Sequence, residues 1–274
     1  MKLYLILFLF YVFQFNSIYS QQVEKEKLVI GEVLDFHSNF LKEKRILNIY
    51  LPESYSSDTT KKYPVIYLLD GTITEDFLHI AGIVQFGSYP WINIIPESIV
   101  VGIANVDRKR DFTFPTTVED HKKEFPTTGG SEMFIQCLAK EIQPIIEDNF
   151  RTTKEKTIIG QSLGGLLATE ILLTKPALFD NYIIISPSLW WDNESLLQKH
   201  TLQYTSPKSV YIAVGKEGEI MESEAKAIYK KLTKNRDDYK KLHFNYFGNQ
   251  DHANILHLAV YDAFMILFSP EAKD

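Results

Sequence analysis

Two kinds of hydrophobic pattern follow one another along the chain. Near the N-terminus, "KLVIGEVLDFHS" and "KEKRILNIYLP" carry alternating apolar positions, which predicts two strands of an antiparallel hairpin. Further along, short runs are continuously apolar and rich in Val, Ile and Tyr, a pattern typical of strands that are buried on both faces of a mainly parallel sheet. These runs are Tyr63 to Gly71, Ser98 to Asn105, Lys156 to Gln161, Tyr182 to Ser188, Ser209 to Gly215 and Leu242 to Gly248.

Segments with helical periodicity lie between the apolar runs. They are Glu75 to Phe86, Gly130 to Phe150, Ser162 to Thr174, Asn193 to His200, Glu222 to Arg236 and Ile255 to Phe268. Strands and helices that alternate through right-handed crossovers predict a doubly wound, mainly parallel α/β sheet of about eight strands, with helices on both faces. The polar stretch from Val106 to Gly130 lacks periodicity, and a loop of that length is often a functional lid or a disordered segment.

The first 20 residues have the pattern of an export signal. A single charge at Lys2 precedes an apolar core from Leu3 to Phe13, and polar and small residues follow as far as Ser20. The apolar core is shorter than the roughly 20 residues that span a bilayer. We therefore expect residues 1–20 to be a cleaved signal peptide, with an uncleaved anchor as the alternative. Residues 21–274 would then form a single domain that is periplasmic or secreted and has no stable membrane insertion.

Composition and charge narrow the classes of partner. The chain has 274 residues, of which 45% are hydrophobic, so it can bury a sizeable core. Its one cysteine, Cys137, allows no internal disulfide. Without Lys2 there are 28 basic against 35 acidic residues, and this excess of acids argues against nucleic acid and anionic lipid as main partners. The oligomeric state stays open.

A serine lies where a predicted strand meets a predicted helix. The stretch "GQSLG", Gly160 to Gly164, fits the G-x-S-x-G pattern, in which glycines leave room for a strained turn that exposes a nucleophilic serine. The alternative is that Ser162 only caps the helix. The pattern alone is weak, but its position between "KTII" and "LLATEILL" favours a nucleophile.

Two later strand ends supply the partners that a nucleophilic serine needs. His252 follows the strand that ends near Gly248, and Glu217 follows the strand that ends at Gly215. An imidazole would take the serine proton, and a carboxylate would hold that imidazole in the correct tautomer. The order serine, acid, histidine is that of α/β-hydrolases. Glu219 and Asp192 are the other candidates for the acid.

The oxyanion hole requires two backbone donors. The end of "YLLDGT" supplies the amide of Gly71 or of Thr72, which would meet the amide of Leu163. Asp70 is interpreted as a turn-forming residue.

These motifs resemble a known family, the esterases grouped with esterase D and the ferri-enterobactin (trilactone siderophore) hydrolases. The resemblance rests on "YPVIYLLDG", "GQSLGGLLATEILLTKPALFDNYIIISPSLWWDN", "VGKEGEIM" and "DHANI", and it runs from about Lys42 to Phe268. It implies Ser162 as nucleophile and His252 as base, with Trp190 and Trp191 lining the substrate pocket. The chain departs from the commoner family form at Gln161, where a histidine often precedes the serine; we expect this change to be tolerated, because that side chain does not act in the mechanism. Its "GKEGE" segment is one residue shorter than expected, so a Ser-His pair with no carboxylate is an alternative to Glu217 or Glu219 as the acid.

The sequence thus predicts an exported serine esterase that acts on a small-molecule ester, with no metal and no cofactor. The substrate would be a ferric-siderophore trilactone or an acetyl or feruloyl ester linked to carbohydrate. An acyltransferase of the same fold, or a non-catalytic binding protein on a hydrolase scaffold, is the alternative.

Overall fold

A computed structural model describes residues 23–199, 208–234, 237 and 239–269. The chain divides into a segment Met1–Ile30 and a compact unit that begins at Gly31. Residues 23–30 of the first segment form no helix or strand and are exposed, so the part of the predicted first strand from Lys27 to Ile30 is wrong. The expected signal peptide lies outside the described residues. In the described part of the chain, no helix is both long enough and apolar enough to cross a bilayer.

One sheet of eight strands organises the compact unit, in the order β1-β2-β4-β3-β5-β6-β7-β8. β1 and β2 form the expected antiparallel hairpin, β2 pairs antiparallel with β4, and all other neighbours are parallel. The fold prediction is thereby confirmed. The strands are β1 (Gly31–Ser38), β2 (Glu43–Tyr50), β3 (Tyr63–Leu68), β4 (Ile99–Ile103), β5 (Thr152–Gln161), β6 (Asn181–Ile185), β7 (Lys208–Gly215) and β8 (Tyr239–Phe247).

Helices cover both faces of the sheet, and each face has its own core. Tyr182 and Ile184 of β6 point into one cluster, while Ile183 and Ile185 point into the other. This alternation explains why the central strands are apolar at every position. The helices are α1 (Ser54–Ser57), α2 (Phe77–Gly87), α3 (Arg108–Asp111), α4 (Glu119–Glu124), α5 (Ser131–Cys137), α6 (Gln143–Asn149), α7 (Leu163–Thr174), α8 (Ser195–Gln198), α9 (Glu219–Thr233) and α10 (Leu256–Leu267).

Several predicted helix boundaries differ from those observed, and two of the differences have an identifiable cause. The helix expected from Gly130 to Phe150 is interrupted by a π-helical turn, Leu138–Ile142, just before Pro144, which has no N–H to continue the i to i−4 bonding. The helix expected from Asn193 begins only at Ser195, since Asp192, Asn193 and Glu194 have φ angles of 52°, 52° and 59°, outside the right-handed helical region. His200 and Arg236, the expected ends of two helices, lie outside the described residues.

The polar stretch from Val106 to Gly130 is a packed segment that contains α3 and α4. Its residues Phe112, Phe114 and Phe125 are buried in the larger core. Asp111 of α3 accepts a hydrogen bond from the fully buried Arg45 of β2 at 2.7 Å. These contacts hold the segment against the sheet, and its closure over a substrate stays a prediction.

Candidate active site

Ser162 occupies a strained turn between β5 and α7. Its φ and ψ are 60° and −120°, a conformation that costs a non-glycine residue about 1–3 kcal/mol. Gly160 permits the turn, because a Cβ there would lie 2.3 Å from the carbonyl oxygen of Gly164. The Ser162 side chain makes no capping hydrogen bond to α7, which argues against the interpretation of this serine as a helix cap.

His252 lies in the exposed turn between β8 and α10. Its Nδ1 is 2.5 Å from Oε2 of Glu217, which follows β7. The Glu217 side chain is only 2% exposed, whereas that of His252 is 46% exposed. The structure therefore brings Glu217 to the histidine. Glu219 instead begins α9, and Asp192 accepts hydrogen bonds from Thr116 and Thr117.

The second carboxylate oxygen of Glu217 is held by two donors. Oε1 accepts a hydrogen bond from Ser186 Oγ at 2.5 Å and from the Gly215 N–H at 2.9 Å. Burial raises the pKa of Glu217, but hydrogen bonds from His252, Ser186 and Gly215 outweigh it and lower that pKa below its usual value. The carboxylate is therefore charged at neutral pH. Sequence reasoning missed Ser186, which ends the run "YIIIS" at a φ of 44°.

Ser162 and His252 border the same two pockets. One has a volume of about 520 Å³ and is also lined by Trp190, Met221 and Lys216. The other has a volume of about 400 Å³ and is lined by polar and acidic side chains together with Arg108. The two residues thus share one cleft at the carboxyl ends of the strands, where ligands of open α/β sheets bind. The Ser162 hydroxyl is 3.3 Å from the Ser188 hydroxyl, a contact that sequence reasoning did not predict.

The predicted oxyanion donors differ in their availability. Leu163 is the first residue of α7, so its N–H has no acceptor within the helix. The Gly71 N–H donates to the Ile103 carbonyl at 3.0 Å. Gly71 therefore does not fit the predicted role, since β4 already occupies its donor. The alternative donor, Thr72, stays a prediction.

The two tryptophans occupy different environments. Trp190 is partly exposed and lines the larger of the two pockets. Trp191 is fully buried, and its Nε1 donates to the Phe114 carbonyl at 2.8 Å. The prediction that Trp191 contacts substrate is therefore wrong, because this side chain belongs to the core beneath the site.

An ion pair lines the smaller pocket together with the nucleophile. Arg108 Nε and Nη2 donate to the two carboxylate oxygens of Asp70 at 2.6 and 2.9 Å, and Asn105 also donates to Asp70 at 2.6 Å. Asp70, at a φ of 57°, is thus more than the expected turn residue. Sequence reasoning missed Arg108, which lies in the aperiodic segment without a motif.

Asp76 is one of three acidic side chains that line the smaller pocket, together with Asp70 and Glu75. Burial raises its pKa to about 6, with a contribution from repulsion by Asp70 and Glu75. Among the described residues, no group of three His, Cys, Asp or Glu side chains is placed to hold a metal ion. The absence of a metal and of a cofactor stays a prediction.

Comparisons with known proteins agree with this fold. The model of the family described as "Putative esterase" matches residues 38–256. The ferri-bacillibactin esterase of Bacillus subtilis is 30% identical over 257 residues, which are 84% of this chain and 87% of that protein.

Two crystal structures extend the likeness to three dimensions. The BES protein from Bacillus cereus is 28% identical, with a TM-score of 0.78 over 92% of this chain and 100% of that one. An IroE-like serine hydrolase from Shewanella oneidensis is 30% identical, with a TM-score of 0.76 over 87% of this chain and 80% of that one. This chain therefore belongs to the Esterase family and is an α/β-hydrolase that acts on ester bonds.

Proposed function

We propose that this protein is an exported serine esterase that hydrolyses siderophore esters through an acyl-enzyme. The observation that carries the proposal is the assembly of Ser162, His252 and Glu217. Ser162 lies on a strained turn, His252 is bonded to Glu217 through Nδ1, and Ser162 and His252 line the same pockets. This arrangement disfavours a non-catalytic binding protein, which would need no base beside the serine.

The geometry supports a two-step reaction. Because Nδ1 of His252 faces Glu217, Nε2 is the nitrogen left to receive the Ser162 proton. The serine oxygen forms a bond with the ester carbonyl carbon, and the Leu163 N–H stabilises the oxyanion. The ester C–O bond then breaks, and His252 returns the proton to the leaving alcohol. Water attacks the acyl-enzyme by the same route, releasing the acid and restoring the Ser162 hydroxyl.

We expect the Ser162 hydroxyl to exchange its contact with Ser188 for one with His252 before it reacts. This hydroxyl pairs with Ser188 rather than with His252 in the described structure. Catalytic hydrogen bonds are often long or poorly aligned in free enzymes and tighten when substrate binds. Rotation of one hydroxyl about its χ1 bond is a small conformational step.

The larger pocket supports the choice of a siderophore ester. Trp190 and Met221 present aromatic and apolar surface, and Lys216 presents a cation beside it. Such a wall suits an aromatic acyl group that carries negative charge, as a catecholate does. The relative from Bacillus subtilis bears the name of a ferri-bacillibactin esterase, which agrees with this choice.

The test measures hydrolysis by the purified protein. Products of a catecholate trilactone, with and without iron, are followed by chromatography and mass spectrometry, beside feruloyl and acetyl sugar esters. We expect the trilactone to be cleaved with the highest kcat/KM and Ser162→Ala to abolish cleavage. Ser223→Ala, which removes an exposed hydroxyl on α9, should have no effect. Faster cleavage of a sugar ester would refute the substrate, and an active Ser162→Ala variant would refute the mechanism.

Export is a separate part of the proposal and rests on residues 1–20. The N-terminal sequence of the protein recovered from the cell envelope or medium tests it. We expect a chain that starts near residue 21, whereas an intact Met1 in the cytoplasm would refute export.

A further inference from the structure

The turn that carries His252 is shaped by hydrogen bonds of its own. Asp251 Oδ1 accepts a hydrogen bond from the Ala253 N–H, and Asn254 Oδ1 accepts one from the Asp251 N–H, each at 3.0 Å. The turn is exposed from Asp251 to Asn254. These bonds define the shape of the turn, but they do not fix its position relative to the nucleophile.

Three hydrogen bonds described in the structure join this turn to neighbouring strand ends. Two lead to the end of β7, namely the His252–Glu217 bond and the bond from the Lys216 N–H to the Gln250 carbonyl at 2.7 Å. The third leads to β5, where Gln161 Nε2 donates to the His252 carbonyl at 2.5 Å. Gln161 is the residue directly before Ser162. Of these three bonds, the Gln161 bond is therefore the one that links the base to the strand of the nucleophile.

The backbone of Gln161 is itself fixed on both sides. It pairs with Ile185 of β6 in the parallel register, and its carbonyl accepts a hydrogen bond from Arg108 Nη2 at 3.3 Å. Because the main chain of Gln161 is fixed, its side chain can hold the His252 carbonyl, to which it donates, in a fixed position. Placement errors of about 1 Å in a catalytic group can cost on the order of a hundredfold in rate.

We propose that Gln161 is a positioning residue, whose side-chain amide holds the backbone of His252 at the distance from Ser162 that proton transfer requires. This inference rests on the proposed serine mechanism and deepens it. The Gln161 side chain donates its hydrogen bond to the His252 carbonyl, so it acts through the His252 main chain. The sequence interpretation, in which the residue before the serine has no part in the mechanism, is then incomplete, because an amide N–H at this place binds the base.

Three substitutions at Gln161 distinguish the contribution of its N–H donor from that of its side-chain size. Gln161→Leu removes the donor at similar size. Gln161→Glu keeps the shape but sets a carboxylate against the carbonyl oxygen, so it tests the bond even where leucine perturbs folding. Gln161→His supplies another N–H donor and should retain most of the wild-type activity. Gln85→Leu, at an exposed glutamine of α2, is the matched control.

The readouts are kcat and KM for p-nitrophenyl acetate, and the rate and final stoichiometry of labelling by a fluorophosphonate. We expect Gln161→Leu to lower kcat and the labelling rate about tenfold, equivalent to about 1.4 kcal/mol. KM, the stoichiometry and the melting temperature should stay near wild type, since Ser162 and the fold are intact. Gln161→Glu should be slower still, and Gln161→His should recover to within about threefold of wild type on the same scale.

Two outcomes would overturn this inference and leave the proposed function intact. One is a Gln161→Leu variant that turns over and labels as fast as wild type. The other is a variant that loses labelling stoichiometry instead of labelling rate, which would indicate a structural role. A wild-type chain that does not react at Ser162 would overturn the proposed function and this inference with it.

Discussion

Glu217→Gln tests how the acid orients the base. In the wild-type chain, Oε1 of Glu217 accepts two hydrogen bonds, from Ser186 and from the Gly215 N–H. In the variant, only the amide oxygen can accept both, so the amide NH₂ must face His252. Turning the amide around would set an NH₂ against two donors, at a cost of about 1–3 kcal/mol for each unsatisfied group.

An NH₂ that faces Nδ1 of His252 forces the wrong tautomer. Nδ1 must then be the acceptor, and the ring proton moves to Nε2, the nitrogen that has to receive the Ser162 proton. The equivalent change in a serine protease triad lowers kcat by about 10⁴, which corresponds to roughly 5 kcal/mol of transition-state stabilisation. We expect a loss of similar size here, with little change in KM.

Two assays measure this effect. Steady-state hydrolysis of p-nitrophenyl acetate gives kcat, and ¹⁵N NMR of the histidine side chains reports which ring nitrogen of His252 carries the proton. Glu219→Gln is the control, because Glu219 begins α9 two residues further on and is exposed. A Glu217→Gln variant within tenfold of wild-type kcat, or one whose His252 keeps its proton on Nδ1, would refute the reasoning.

Three further predictions concern packing and charge around the site. Gly160→Ala should lower the free energy of unfolding by about 1–3 kcal/mol in urea denaturation, since the new Cβ would lie 2.3 Å from a backbone oxygen; unchanged stability would contradict the assigned turn. Trp191→Ala should lower the free energy of unfolding by about 3–5 kcal/mol, because that side chain is fully buried. Trp190→Ala should mainly raise KM. The reverse pattern would contradict the assignment of Trp191 to the core and of Trp190 to the pocket. The folded chain raises the pKa of Asp76 to about 6 from 3.8, so the proton is held more tightly in the folded state and stability falls as pH rises through this range. Asp76→Asn should therefore raise the melting temperature at pH 8 but not at pH 4, and an equal effect at both pH values would refute this assignment.

The order of strands and helices could be predicted because burial on both faces leaves a clear mark in the sequence. The carboxyl ends of parallel strands meet at one edge of a sheet, so residues after three apolar runs were expected to converge. The structure places Ser162 and His252 beside common pockets and Glu217 against His252. Their catalytic roles stay predictions that the experiments above address.

Other parts of the site depend on contacts that no local pattern records. The Gly71 amide is used by β4, a neighbour that follows it by more than 25 residues in the sequence. Trp190 and Trp191 are adjacent in a segment without periodicity, so nothing local indicates which of them faces the pocket. Arg108 reaches Asp70 from 38 positions away, within a segment that has neither helical nor strand periodicity.

The central claim is that Ser162 forms a covalent acyl-enzyme. The most direct measurement is rapid acid quenching of the protein during turnover of an ester, followed by peptide mass spectrometry. We predict that the mass of the acyl group appears on the peptide that contains Ser162, and that it is absent from that peptide in Ser162→Ala. Acylation at another residue, or no adduct on that peptide of the wild-type enzyme during the first turnover of p-nitrophenyl acetate, would contradict the account.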